Sequence, residues 1–222
     1  MAHAIYKAGH ALVPVLFRAL GGYEKVHQER VPRVGPLIVA PNHLSFADPP
    51  LVGCATRRRL RYMAKRELFL PLGIGWLLRA LGAFPVSRGA VDIRAMRRAL
   101  ELLREGEAVL VFPEGGRGDG KTLRMPEQGV SLLAKRSGAP VIPVGIVGSD
   151  RVLPRGAKFF HRGKTSVIWG EPFGYEDATR GLAEREARAH FARELISRVW
   201  ALIAERAEPP TLPWEAEAAS TS

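Results

Sequence analysis

The chain has 222 residues, with 33 Lys and Arg against 22 Asp and Glu, for a formal charge of +11 at pH 7. Hydrophobic residues make up 46% and charged residues 25%, the composition of a folded domain, which excludes a disordered polycation. A single cysteine, Cys54, excludes an internal disulfide framework, and the longest apolar run, residues 68–78, is too short to span a bilayer. The charge is uneven: residues 1–175 carry 27 cations against 13 anions, whereas residues 176–222 carry 6 against 9. A folded body with that bias fits a negatively charged partner, whether nucleic acid, an anionic membrane face or a phosphorylated small molecule.

In chain order, residues 4–20 predict a short apolar, partly basic helix with a candidate break at Pro14. The same stretch weakly imitates a signal peptide, but Pro14 interrupts its core and Arg18 closes it, so it is expected to be retained. Residues 37–40 (Leu-Ile-Val-Ala) predict a buried strand entered through Pro36. Asp48 before Pro49 and Pro50 predicts an N-cap and first turn, opening a helix through about Thr56. Arg57, Arg58, Arg59, Arg61, Lys65 and Arg66 then run directly into the apolar stretch 68–78, which contains Leu68, Phe69 and Trp76. Asp92 predicts the cap of another helix, with Ile93, Met96, Leu100 and Leu103 on one face and Gly106 as its stop. Residues 108–112, 141–146 and 166–169 predict strands. Residues 128–137 predict a helix closed by Gly138. A long amphipathic helix is expected over 182–205, with Phe191, Leu195, Val199 and Leu202 inward. The prolines and small residues of 208–222 predict a disordered tail. Helix, glycine and strand in alternation indicate an α/β sheet with helices packed on its faces.

Asn42-His43-Leu44-Ser45-Phe46-Ala47-Asp48 follows the first predicted buried strand, where open α/β sheets bind ligands. An Asp48 carboxylate turned back onto His43 Nδ1–H would fix the imidazole tautomer and leave Nε2 as a base for an incoming hydroxyl. The same residues also fit a helix cap and a solvated loop histidine. Phe112-Pro113-Glu114-Gly115-Gly116-Arg117 lies at another strand end and offers a carboxylate and a guanidinium on a backbone that permits close approach. Arg117 suits phosphate because its fork bonds two oxygens at once, although a surface turn is equally compatible. Arg88, after a short apolar strand, reads alone as a surface arginine. Residues 115–122 satisfy the pattern of a nucleotide-binding P-loop. However, Pro113 and Glu114 precede its first glycine, and Pro126 and Gly129 oppose the helix that such a loop needs. Cys54 reads as a small buried residue. The histidines show no metal-ligand spacing, and no metal site is expected.

Four blocks in order resemble the 1-acyl-glycerol-3-phosphate acyltransferase family of glycerophospholipid acyltransferases. They are Asn42-His43 with Asp48, residues 82–88 ending at Arg88, Phe112-Pro113-Glu114-Gly115, and Val141-Ile142-Pro143-Val144. The resemblance covers about residues 30–175. Ser87 stands where the family often has Asp, and Gly116-Arg117-Gly118 stands where it usually has Thr-Arg-Ser.

The resemblance implies a single α/β domain with a central mixed β-sheet flanked by helices. It would comprise a membrane-associating helical segment at 1–30, the acyltransferase domain at 31–207 and the tail at 208–222. It implies transfer of a fatty acyl group from acyl-CoA or acyl carrier protein to the free hydroxyl of lysophosphatidic acid, giving phosphatidic acid. His43 would be the base and Asp48 its orienting partner. Arg88 and Arg117 would hold the acceptor phosphate, Glu114 and Gly115 would organise that loop, and Asn42 would shape the turn. No cofactor is implied beyond the thioester co-substrate. Beside exposed apolar residues, Arg57, Arg58, Arg59 and Arg61 suit anionic headgroups, and Leu68, Phe69 and Trp76 suit an acyl-chain path; a solvated face and plain core are the bland readings. The expected place is the cytoplasmic face of the cell membrane. Glycerol 3-phosphate or another lysolipid is the alternative acceptor. A nucleic-acid-binding module is the distant alternative, opposed by the lack of stacking aromatics in the basic run, so no nucleic-acid partner is expected.

Overall fold

Residues 37–40 alternate their side chains between two apolar layers, which is why the run carries no polar residue. Ile38 and Ala40 pack with one cluster of buried residues, Leu37 and Val39 with another. The computed structural model describes residues 2–70, 74–87 and 92–220. Its strands are β1 (Tyr23–Val26), β2 (Leu37–Pro41), β3 (Leu60–Lys65), β4 (Ala83–Val86), β5 (Ala108–Leu110), β6 (Val141–Val147) and β7 (Thr165–Trp169). Among the described residues they form one sheet in the order β1-β7-β6-β2-β5-β3-β4. The pairing of β6 with β7 is antiparallel and every other pairing is parallel, so the sheet is mixed. Helices α4 (Ile93–Arg104), α5 (Gln128–Ser137) and α8 (Glu184–Ala204) cover one face. The other face is covered by α1 (Ala2–Leu20) and α2 (Asp48–Cys54). Shorter helices are α3 (Ile74–Ala80), α6 (Ser149–Val152) and α7 (Tyr175–Ala178), and α9 (Pro213–Ser220) closes the chain.

Several local expectations hold for the physical reasons given. Asp92 caps α4 by accepting from the main-chain N–H of Arg94 and Ala95, and Gly138 closes α5 with a left-handed φ of 64°. Others are corrected. Helix α1 runs unbroken through Pro14. Asp48 is the first residue of α2 rather than its cap, and its carboxylate turns back into the preceding loop. Ile93 is 70% exposed, while Ala95, Met96, Ala99, Leu102 and Leu103 face the core. The tail expected to be disordered over 208–222 is instead docked at residues 210–214 and continues as the helix α9. Trp200 Nε1 donates to Pro210 O at 2.9 Å, Thr211 bridges Thr122, and Leu212 and Trp214 pack against the α8 side of the core.

The basic run 57–66 contains β3, and three of its cations are bonded within the protein. Arg58 donates to the carbonyls of Pro32 (3.0 Å) and Gly106 (2.8 Å) and to Gly35 O. Arg59 donates to Ala80 O at 3.2 Å and lies over the Tyr6 ring, and Arg61 pairs with Glu107 at 2.6 Å. Gly35, Arg58 and Gly106 precede β2, β3 and β5, so Arg58 ties together the amino ends of three strands. Arg57, by contrast, is exposed. Replacing Arg58 with Met leaves three carbonyls without this donor and is expected to lower stability by about 2–4 kcal/mol in urea denaturation. Arg57→Met is expected to stay within about 0.5 kcal/mol.

Candidate active site

Where β2 ends, the chain carries Asn42 and His43. The Asn42 side chain continues the ladder with β6: its Nδ2 donates to Ile146 O (3.0 Å), and its Oδ1 accepts from Ile146 N (2.7 Å). This anchors the chain immediately before His43. Asp48, fully buried, accepts three bonds at Oδ2, from His43 Nδ1 (2.8 Å), Leu44 N (2.6 Å) and Ser45 N (2.7 Å). A carboxylate only accepts, so the proton of a neutral imidazole sits on Nδ1 and the Nε2 lone pair is left available. The ring is further fixed by stacking on Phe112, with centroids 3.8 Å apart and planes 20° off parallel.

The loop after β5 grips the same residue from its other side. Val39 pairs with Leu110, so His43 and Glu114, each four residues further on, arrive side by side. Glu114 Oε1 accepts from His43 N at 2.8 Å, and Gly118 N donates to His43 O at 2.7 Å. Burial pushes the Glu114 carboxyl up to about 7, against the opposing pull of its bond from the His43 N–H. Residues 115–122 do not open a helix at Lys121. Asp119 Oδ1 instead accepts from Lys121 N and Thr122 N, making a turn.

A cavity of about 470 Å³ opens at the carboxyl ends of β2, β3, β4 and β5. His43, Gly115 and Arg117 all border it, as do Leu68 and Ser87. The Arg117 guanidinium lies 3.8 Å from the Phe46 ring centroid at its edge. Arg88 lies outside the described residues, although Ser87 and Asp92 on either side of that segment line the cavity. Asn42 and Glu114 face a smaller pocket of about 90 Å³ behind the histidine loop. They therefore hold His43 in place and do not border the large cavity. Arg57, Arg58 and Arg59 precede β3, at the opposite end of the sheet. Phe69 is half-buried beneath Arg79, and Trp76 is 53% exposed on α3. Cys54 is buried with its thiol pushed up to about 11 by that burial, so it is a packing residue. Sequence reasoning missed Phe112 and Phe46 as the aromatic supports of His43 and Arg117. No local signal could have found Phe112, because its place beneath His43 depends on β5 lying next to β2.

The Acyltransferase family model matches residues 24–147, more than half of the chain. The chain belongs to the acyltransferase family. It is 29% identical over 197 residues to the 1-acyl-sn-glycerol-3-phosphate acyltransferase of Bacillus subtilis, covering 88% of this chain and 95% of that protein. It is 27% identical over 170 residues to the lyso-ornithine lipid O-acyltransferase of Pseudomonas aeruginosa, covering 69% of this chain and 65% of that one. The crystal structure of the 1-acyl-sn-glycerophosphate acyltransferase PlsC from Thermotoga maritima matches it with a TM-score of 0.75 and 27% identity, covering 93% of this chain and 82% of that one. The mixed sheet expected from the sequence is thus the fold of a related acyltransferase.

Glu114 makes the stability of this acyltransferase depend on pH in a defined direction. Its carboxyl titrates near 4.5 ordinarily and near 7 when folded, so the folded state holds the proton in between. The associated stability is fully present below pH 4.5 and is lost as pH rises through about 7. Glu114→Gln removes that component. The drop in unfolding free energy between pH 5 and pH 8 is expected to shrink by up to about 3 kcal/mol relative to the parent, measured by urea denaturation at the two pH values.

Proposed function

We propose that this acyltransferase moves a fatty acyl group from a thioester, acyl-CoA or acyl carrier protein, to the free hydroxyl of 1-acyl-glycerol 3-phosphate, giving phosphatidic acid. The observation that carries this reading is a histidine with its tautomer fixed by a buried carboxylate, opening on a cavity that also holds an arginine. The activities named for the Bacillus and Thermotoga relatives support the same reaction and acceptor.

His43 Nε2 takes the proton of the acceptor hydroxyl as its oxygen attacks the thioester carbonyl carbon. The resulting imidazolium is stabilised by the Asp48 carboxylate. Collapse of the tetrahedral intermediate breaks the C–S bond, and the departing thiolate recovers the proton from His43. Thiolate is a good leaving group, so a single positioned base is sufficient. Arg117, together with Arg88, binds the acceptor phosphate, while Met63, Leu68 and Met96 offer apolar wall to a hydrocarbon chain. A different lysolipid or glycerol 3-phosphate as acceptor is the second reading. Gly116 and Gly118 favour it by stripping side chains from the acceptor-side loop, and the Pseudomonas relative bears the name of another lysolipid.

The same reading places the protein peripherally on the inner face of the cell membrane. No helix among the described residues is long and apolar enough to cross a membrane. Leu12, Val15 and Leu16 of α1, with Ile74, Trp76 and Leu77 of α3, are exposed and suit shallow contact with lipid.

His43→Ala is expected to lower kcat by about 10³-fold while leaving the chain folded, with a loss of about 1–3 kcal/mol in urea denaturation because Asp48 loses one of its donors. Full activity in that variant overturns the mechanism. Arg117→Ala is expected to raise KM for the phosphorylated acceptor at least tenfold with little change for the acyl donor, and Arg88→Ala to act in the same direction. An effect confined to the donor reverses the assignment of the two arginines. A panel of lysophosphatidic acid, glycerol 3-phosphate and other lysolipids, each with both donor types, decides the acceptor.

A further inference from the structure

The chain leaves β6 at Val147 and returns in β7 at Thr165, antiparallel to it. The intervening loop therefore sits at the same end of the sheet as His43. Ser45 Oγ, within the histidine loop, donates to Leu153 O at 2.7 Å and ties the two together. Residues 151–164 carry Arg151, Arg155, Lys158, Arg162 and Lys164 and no acidic residue. All five are exposed. Lys164 pairs with Glu24, whereas Arg155, Lys158 and Arg162 have no acidic partner among the described residues. Between them stands Phe159, 80% exposed, the second most exposed large hydrophobic side chain described.

The loop is held in shape. Ala157 N donates to Pro154 O, His161 N to Val152 O at 2.8 Å, and Gly163 N to Leu20 O at 2.8 Å. Phe160 packs edge-on against Phe17 of α1, with centroids 5.9 Å apart. This contact joins the loop to the helix whose Leu12, Val15 and Leu16 are exposed. A preformed loop with an outward aromatic ring and unpaired cations around it has the chemistry of an interfacial anchor: ring at the acyl boundary, cations among headgroups.

We propose that residues 155–164 form a basic-aromatic foot that seats the catalytic end of the protein on an anionic bilayer. Phe159 enters the interface, and Arg155, Lys158 and Arg162 bind lipid phosphates. A soluble acidic protein would satisfy the cations but offers no reason for an outward Phe159 ring on a loop that packs against α1. The lipid-facing cations are thus at the end of the sheet that carries His43, not in the run at residues 57–61, where three of the four arginines are bonded within the protein.

The test uses the full chain and co-sedimentation with vesicles of phosphatidylglycerol and phosphatidylcholine, a readout independent of the reaction assigned above. Arg155→Gln, Lys158→Gln and Arg162→Gln combined are expected to weaken binding about a hundredfold at low salt, each cation near an anionic surface contributing about fivefold. Phe159→Ser is expected to weaken it about tenfold, with the loss persisting at high salt, and Phe159→Leu to retain most of it. Arg57→Gln is expected to change it less than twofold. Near-UV circular dichroism verifies that each variant is folded. Vesicle binding unchanged in the triple variant and in Phe159→Ser overturns the assignment. So does unchanged vesicle binding with slower transfer from acyl carrier protein, which makes the loop a dock for that carrier.

Discussion

Asp48 Oδ2 accepts from an imidazole and from two successive main-chain N–H groups, all within the loop that joins β2 to α2. Burying a carboxylate is costly unless it is hydrogen-bonded, and three donors on Oδ2 offset that cost in part, while Oδ1 is buried without a hydrogen bond. The same bonds curl the loop so that His43 comes back over the start of its own helix. Its peptide is then gripped from the far side, N–H by Glu114 and C=O by Gly118. Ring, amide and carbonyl are all committed. What remains uncommitted is Nε2, which is the atom a general base needs.

The sheet determines what that atom can meet. Parallel strands deliver their carboxyl ends to one side, so β2, β3, β4 and β5 place His43, Leu68, Ser87 and Gly115 around one opening although they are far apart in sequence. The single antiparallel pairing has an equally specific consequence. Because β7 runs back against β6, the loop that feeds it and the end of α1 that feeds β1 are both placed beside the opening. An all-parallel sheet would have sent that loop's chain back across a face as a crossover.

Much of this was legible in the sequence where one physical demand dominated. Leu-Ile-Val-Ala can only be a strand buried on both faces, Asp92 and Gly138 are a helix start and a helix stop, and the four motif blocks resemble one family closely. It was illegible where two demands overlapped. Arg-Arg-Arg-Leu-Arg-Tyr reads as a charge run, but arginine stems lie along apolar surface while their heads find carbonyls, and so a strand was concealed within it. The tail reads as disordered because its prolines forbid regular structure. Tertiary contacts from Trp200 and Thr122 supply the order that local propensity does not. Asp48 before two prolines satisfies the rule for a helix cap, yet the competing donors in the loop take its carboxylate. Phe112 as the support of His43 required knowing which strands are neighbours, information no local pattern holds.

The net charge of +11 acquires a different meaning once each cation is placed. At the amino ends of the strands, Arg58 and Arg59 are bonded to carbonyls and an aromatic ring, and Arg61 is paired with Glu107. On the helices that cover one face of the sheet, Arg98, Lys135 and Arg198 pair with glutamates. At the end of the sheet that carries His43, Arg155, Lys158 and Arg162 have no acidic partner among the described residues. Paired charges contribute little field beyond their own neighbourhood, whereas unpaired ones project it into solvent over roughly a Debye length, about 10 Å. Arg155, Lys158 and Arg162 therefore add positive potential at the end of the sheet that carries His43, where an acceptor phosphate, a phosphate-bearing thioester and the membrane that holds the lipid would approach. Their effect there comes from position as well as number, because the cations of α4, α5 and α8 are spread over a different face of the sheet.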